Sequence, residues 1–124
     1  MRRQLQYDDA VEIERVGDIT ILALEGEFDA VNLSPATKQL EDLIESGDRK
    51  LIFNFHNLRL IDSSALGCLI RTHKKLAELD GECVLSEPSK VIHSAITTLG
   101  MDRFFKTFQS NHDAVEYFRH GDDS

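Results

Sequence analysis

The most informative arrangement in the sequence is Asp62-Ser63-Ser64, a carboxylate followed by two hydroxyls, where an apolar run and a connecting stretch give way to helical spacing. Hydroxyls at such a junction have two uses. One is capping: Ser63 or Asp62 accepts from the free N–H groups of the first helical turn, worth about 1 kcal/mol. The other is acceptance of a phosphoryl group, because a helix N-terminus offers N–H donors and the positive end of a dipole to a dianion. Spacing alone leaves both open. A serine hydrolase would place Gly-x-Ser-x-Gly at this turn, which here reads Asp62-Ser63-Ser64-Ala65-Leu66. No Gly-x-x-x-x-Gly-Lys loop cradles a phosphate, and His56, His73, His93, His112 and His120 fall outside metal-ligand spacing. No enzymatic activity, metal or cofactor is therefore expected.

The elements that must position this segment follow from periodicity. Residues 11–16 and 19–25 alternate apolar with polar or small residues around Gly17-Asp18, which reads as a β-hairpin. Ser34-Pro35 reads as an N-cap and first helical residue, followed by Leu40, Leu43 and Ile44 on one face and a stop at Gly47-Asp48. Residues 51–55, apolar on both faces except for Asn54, read as a central strand, and His56 to Ile61 as a loop. A second helix runs from Ser64, with Leu66, Leu69, Ile70, His73, Leu76 and Leu79 at helical spacing, to Asp80-Gly81. Residues 82–86 read as a buried strand. Pro88 opens a third helix carrying Val91, Ile92, Ala95, Ile96 and Leu99, closed by Gly100. Residues 104–108 suggest a last short strand, with Phe104, Phe105 and Phe108 as core under the final helix. Asn111 is expected to cap that helix, which carries Ala114, Val115 and Phe118 before a frayed tail over 120–124. This order calls for an α/β fold: a mostly parallel central sheet with an N-terminal edge hairpin and about four helices.

The chain has 124 residues, with 14 Lys and Arg against 22 Asp and Glu, a net charge of −8. Residues 1–48 hold four basic and twelve acidic side chains, and the remainder ten of each, so the whole excess is N-terminal. An acidic part joined to a neutral one offers no basic face for phosphates, which argues against direct nucleic-acid binding. Glu25, Glu27 and Asp29 form either a solvated rim or a docking face for a basic partner. Cys68 and Cys83 lie within apolar runs and are too few for a disulfide framework; they read as reduced core thiols. The first nine residues lack the apolar stretch of a signal peptide, and there is no apolar run of about 18 residues. A single cytoplasmic domain over residues 1–124, without membrane insertion, is the expectation.

Two stretches carry a resemblance. Gly26-Glu27-Phe28-Asp29 resembles the Gly-Glu-hydrophobic-Asp segment, and Ile61-Asp62-Ser63-Ser64-Ala65-Leu66-Gly67 the Asp-Ser-Ser/Thr-Gly-Leu-Gly signature, of the STAS domains (sulfate transporter and anti-sigma factor antagonist), in particular the stand-alone bacterial anti-sigma factor antagonists. The element order matches over roughly residues 10–118. The resemblance implies a STAS-like fold and a phosphorylation switch at Ser63, with Ser64 as the alternative acceptor. It implies two partners: an anti-sigma factor that is also a serine kinase of the histidine-kinase-like ATPase fold, bound when Ser63 is unphosphorylated so that the sigma factor is released, and a metal-dependent serine phosphatase. Asp29, Asp62, Ser63, Ser64 and Ala65 are the implied partner-binding residues. Ala65 replaces the family's usual glycine, so its methyl is expected to bear on any partner that needs close backbone approach. The alternative is a STAS scaffold or accessory subunit of a sensory or lipid-transport complex, with the serine unused.

Overall fold

The computed structural model describes residues 11–120. The N-terminal stretch read for a signal peptide and the tail from residue 121 lie outside the described residues. Five strands form one sheet in sequential order: β1 (Val11–Val16), β2 (Ile19–Phe28), β3 (Lys50–Ile61), β4 (Glu82–Ser86) and β5 (Thr107–Phe108). β1 pairs antiparallel with β2 across the tight turn at Gly17-Asp18; every other pairing is parallel. The crossovers are α1 (Leu33–Glu45), α2 (Ser63–Glu78) and α3 (Lys90–Thr98), followed by a 3-10 turn over Met101–Arg103, and α4 (Asn111–His120) closes the described chain.

The sheet separates two apolar layers. Leu22, Leu24, Leu51, Phe53, Phe55 and Leu85 face α1, α2 and α3, meeting Leu40, Leu69, Leu76, Ile92 and Ile96. Ile19, Ile21, Ile52 and Val84 project to the other face, where Ala114 and Val115 of α4 cover them. β3 has its Leu51–Phe55 portion buried on both sides, as a central strand must.

The main departure from the sequence reading is in β3. Residues 56–61 are strand, not loop, and β2 continues past Glu25 to Phe28 to pair with them. Two register shifts place extra β3 residues opposite β2, between Ala23 and Glu25 and between Gly26 and Glu27. The buried positions therefore fall at Phe55, Leu58 and Ile61, a spacing of three that hides the strand's period of two. Gly26 sits between the two shifts at φ +74°, a backbone that other residues adopt only with strain.

The helix starts also differ. α1 begins at Leu33 with Asn32 in the cap position, because the Asp29 carboxylate and carbonyl both accept from Asn32 N–H and start the turn before Ser34. Pro35 then falls in the first turn, where its missing N–H has no intrahelical partner to lose. α3 is capped by Ser89, whose hydroxyl accepts from Ile92 N–H, so Pro88 stands before the helix; Val91 faces solvent at 70% exposure. In α4 the cap is Ser110, accepting from Asp113 N–H, and His120 belongs to the helix. Asn111 instead accepts from the Ser86 hydroxyl at 2.6 Å and the Asn54 amide at 2.8 Å, locking α4 to the middle of β3 and the end of β4. The three phenylalanines separate: Phe105 is buried in the first layer, Phe108 lies against Tyr117 of α4, and Phe104 is 46% exposed.

Two outcomes follow. Ser86 is fully buried, so Asn111→Ala, which strands its hydroxyl and the Asn54 amide, should lower unfolding free energy by about 1–3 kcal/mol in urea titrations; an unchanged midpoint would contradict the network. Burial, with Glu82 adding to it, pushes the Cys83 thiol far above the ordinary range, and Cys68 is also buried. Iodoacetamide at about pH 8 should modify both only in denaturant; rapid labelling of the native protein would contradict the packing.

Candidate functional site

The site is built at the carboxyl end of β3, beyond the last residue of β4. Ile61 is buried and ends the strand; Asp62, in extended conformation, is the N-cap of α2; Ser63 is the helix's first residue. Every polar group of Asp62 has a partner. Its Oδ1 accepts from Ala65 N–H at 3.1 Å, its Oδ2 from Ala30 N–H at 3.3 Å, its own N–H donates to Phe28 O, and its carbonyl accepts from Leu66 N–H. One residue thus caps α2 and ties the β2–α1 loop to it. Of the two uses left open at this junction, capping falls to Asp62.

Ser63 is exposed, and its side chain makes no hydrogen bond among the described residues. Ser64, one position on and turned by about 100° around the helix, is half-buried. Ala65 is fully buried, its methyl in the first core layer, so it enters the site through its N–H and not through a surface side chain. Asp29 is half-buried and makes no hydrogen bond to Ser63; its Oδ1 accepts from the Asn32 backbone at 3.1 Å and the Asn32 side chain at 2.9 Å, which shapes the adjoining loop. The structure therefore brings Asp62, Ser63 and the loop from Asp29 to Asn32 together, and sets Ala65 beneath them.

The sequence reading did not single out Ala30 and Asn32, which complete this loop. The Asp-x-x-Asn spacing, typical of a turn in which an Asp side chain meets backbone N–H groups downstream, was the available signal. Val31, between them, is 86% exposed. Along the rim, Glu27 lies 3.7 Å from Arg59, and Glu25 is exposed. Among the described residues, no His, Cys, Asp and Glu side chains gather as a metal site, and no helix is long and apolar enough to cross a membrane.

Replacing Asp62 should cost more than a simple cap. Asp62→Ala removes acceptors from both Ala65 and Ala30 and should destabilise the protein by about 1–3 kcal/mol in chemical denaturation, with faster amide exchange at Ala30 and Ala65; exchange altered at neither would refute the double role.

Comparison with known proteins agrees with this architecture. The anti-sigma F factor antagonist of Paenibacillus polymyxa is 21% identical over 106 residues, covering 85% of this chain and 91% of its own length. The solved structure of an anti-sigma factor antagonist from Mycobacterium paratuberculosis superposes with a TM-score of 0.81 at 17% identity, covering 92% of this chain and 97% of that one. The anti-sigma factor antagonist SpoIIAA in its unphosphorylated form superposes with a TM-score of 0.76 at 22% identity, covering 89% and 96%. The same Bacillus cell fate determinant in its phosphorylated form gives 0.68 at 22% identity, covering 89% of this chain and all of that one. The family model of the STAS domain matches residues 10–114, and the chain belongs to the STAS domain family.

Proposed function

We propose that this chain is an anti-sigma factor antagonist switched by phosphorylation of Ser63. The observation that carries the reading is the division of labour at the start of α2: Asp62 supplies the side-chain cap, leaving an exposed, unengaged hydroxyl at Ser63, the first residue of the helix. Relatives named as anti-sigma factor antagonists, and a structural neighbour known in both unphosphorylated and phosphorylated forms, support it.

In this reading the protein is a non-enzymatic cytoplasmic binding module. Unphosphorylated, it binds an anti-sigma factor that is also a serine kinase of the histidine-kinase-like ATPase fold, and the sigma factor is released. The kinase transfers the γ-phosphoryl group of ATP to Ser63 Oγ; ADP leaves and the hydroxyl proton is lost. A metal-dependent phosphatase resets Ser63 by hydrolysis, in which water takes the phosphoryl group as inorganic phosphate and the serine hydroxyl is restored. The partner-facing surface is Ser63, Ser64, Asp62 and the loop at Asp29, with Ala65 supporting it from below.

The electrostatics give the switch its sign. A phosphoserine adds about −1.5 to −2 charges beside the Asp62 carboxylate, and the α2 N-terminus accommodates it through its dipole. A partner shaped around a neutral hydroxyl meets added bulk and like charge, which costs affinity. The protein's own fold is spared.

Ser63→Asp should therefore weaken binding of the cognate kinase, whereas Ser63→Ala should stay bound and resist labelling by ATP; calorimetry showing equal affinity for the two variants would refute the mechanism. Ser64→Ala should reduce labelling without abolishing it, because the exposed Ser63 remains. Labelling that survives the double substitution would remove the switch from this motif.

A further inference from the structure

α1 and α2 return the chain along the same face of a parallel sheet, so they lie side by side and point the same way, with a groove of ≈ 670 Å³ between them. Its floor includes Leu40, Ile44 and Cys68, and Leu79, 40% exposed, stands at the far end. Its walls carry opposite charge. α1 presents Glu41 and Glu45, one turn apart; α2 presents Arg71 and Lys75, one turn apart; all four are exposed. The other charged groups of the groove are already engaged: Lys38 pairs with Asp42 at 3.9 Å, and Arg49 donates to the carbonyls of Ile44 and Asp48.

Among the described residues, no ion pair crosses the groove, and none of these four side chains has an ionic partner. Arg71 reaches back along its own helix to lie over Gly67, its guanidinium 3.4 Å from where a Cβ would stand. The chain thus presents two complementary charged walls on the same surface, exposed and without ion pairs among the described residues.

Such walls are self-complementary in one two-fold arrangement. A second copy turned by 180° about an axis along the groove sets its α1 over α2 of the first, and its α2 over α1, so acid meets base twice. Turned about an axis across the groove, the copy would set α1 on α1, with Glu41 and Glu45 facing their own kind. Elsewhere a net charge of −8 keeps copies apart, which makes the charge-balanced groove the place where two can approach. We propose that the α1–α2 groove is a homodimer interface, occupied by the same two helices of a second copy in the first of these arrangements.

The face is small. Helices of 13 and 16 residues give a patch about 20 Å long, short of the roughly 800 Å² per partner of standard stable interfaces, so a weak, reversible dimer is to be sought at about 10 μM to 1 mM protein. This surface lies along the helices and is independent of the reading of Ser63.

The test is a charge swap read by sedimentation equilibrium. The wild-type chain should associate reversibly to a dimer in that concentration range. The Glu41→Lys, Glu45→Lys pair and the Arg71→Glu, Lys75→Glu pair, introduced as separate variants, should each lose at least about tenfold in self-association, and an equimolar mixture of the two should regain it. Dilution of labelled wild-type protein should move amide resonances of α1 and α2 at these positions, a readout that needs no variant to fold. A wild type monomeric throughout, variants that dimerise as it does, a mixture that stays monomeric, or dilution shifts confined to other faces would each overturn the interface; the groove would then belong to a different partner or to none.

Discussion

The first turn of a helix has N–H groups with no intrahelical acceptor, and at α2 one carboxylate oxygen takes that of Ala65. Asp62 gives one oxygen to α2 and the other to the β2–α1 loop, while its backbone joins the end of β2. A cap of this kind does more than stabilise a helix end. It fixes the loop from Asp29 to Asn32 against the start of α2, and it relieves the next residue of any structural duty. Ser63 is left with its hydroxyl in solvent because its neighbour has two oxygens and uses both.

For Asp62 to reach both partners, β3 must run past β4 and end beside Phe28. The two register shifts supply the extra β3 residues, and Gly26 supplies the backbone freedom between them. Asn54 steadies the first shift: its Oδ1 accepts from His56 N–H, and its amide donates to Asn111, which also accepts from Ser86. Buried polar groups are costly when unsatisfied, and here the satisfaction of Asn54 and Ser86 holds α4 to the sheet. The site and the α4 contact are therefore at opposite ends of the β3 extension, joined by one strand.

Much of this was legible in the sequence because it rests on local chemistry. The hairpin, the α2 face and the α/β order follow from periodicity, and Asp62-Ser63 at a helix start follows from spacing. The β3 extension was not legible, because bulged strands bury Phe55, Leu58 and Ile61 at intervals of three and imitate an irregular loop. The helix caps were misread where a competing acceptor lay nearby: Asp29 starts α1 before Ser34 can, and Asn111 is drawn into the sheet while Ser110 caps α4. Ala65 shows the same limit from another side. Its identity suggests a surface methyl, but helical geometry turns that methyl into the core. Likewise, the charges of Glu41, Glu45, Arg71 and Lys75 are ordinary helix-surface residues in the sequence, and only the parallel crossovers align them across one groove.

The most direct measurement is site-resolved mass spectrometry of the protein isolated from its own cells, with phosphate mapped to individual side chains. The account predicts a population carrying a single phosphate on Ser63 beside an unmodified one, because a switch needs both states. Protein that is unmodified in every growth condition would contradict it and leave the scaffold reading of the fold; phosphate on Ser64 instead would contradict it by moving the switch to the alternative acceptor, and phosphate only outside the α2 start would remove the switch from this motif.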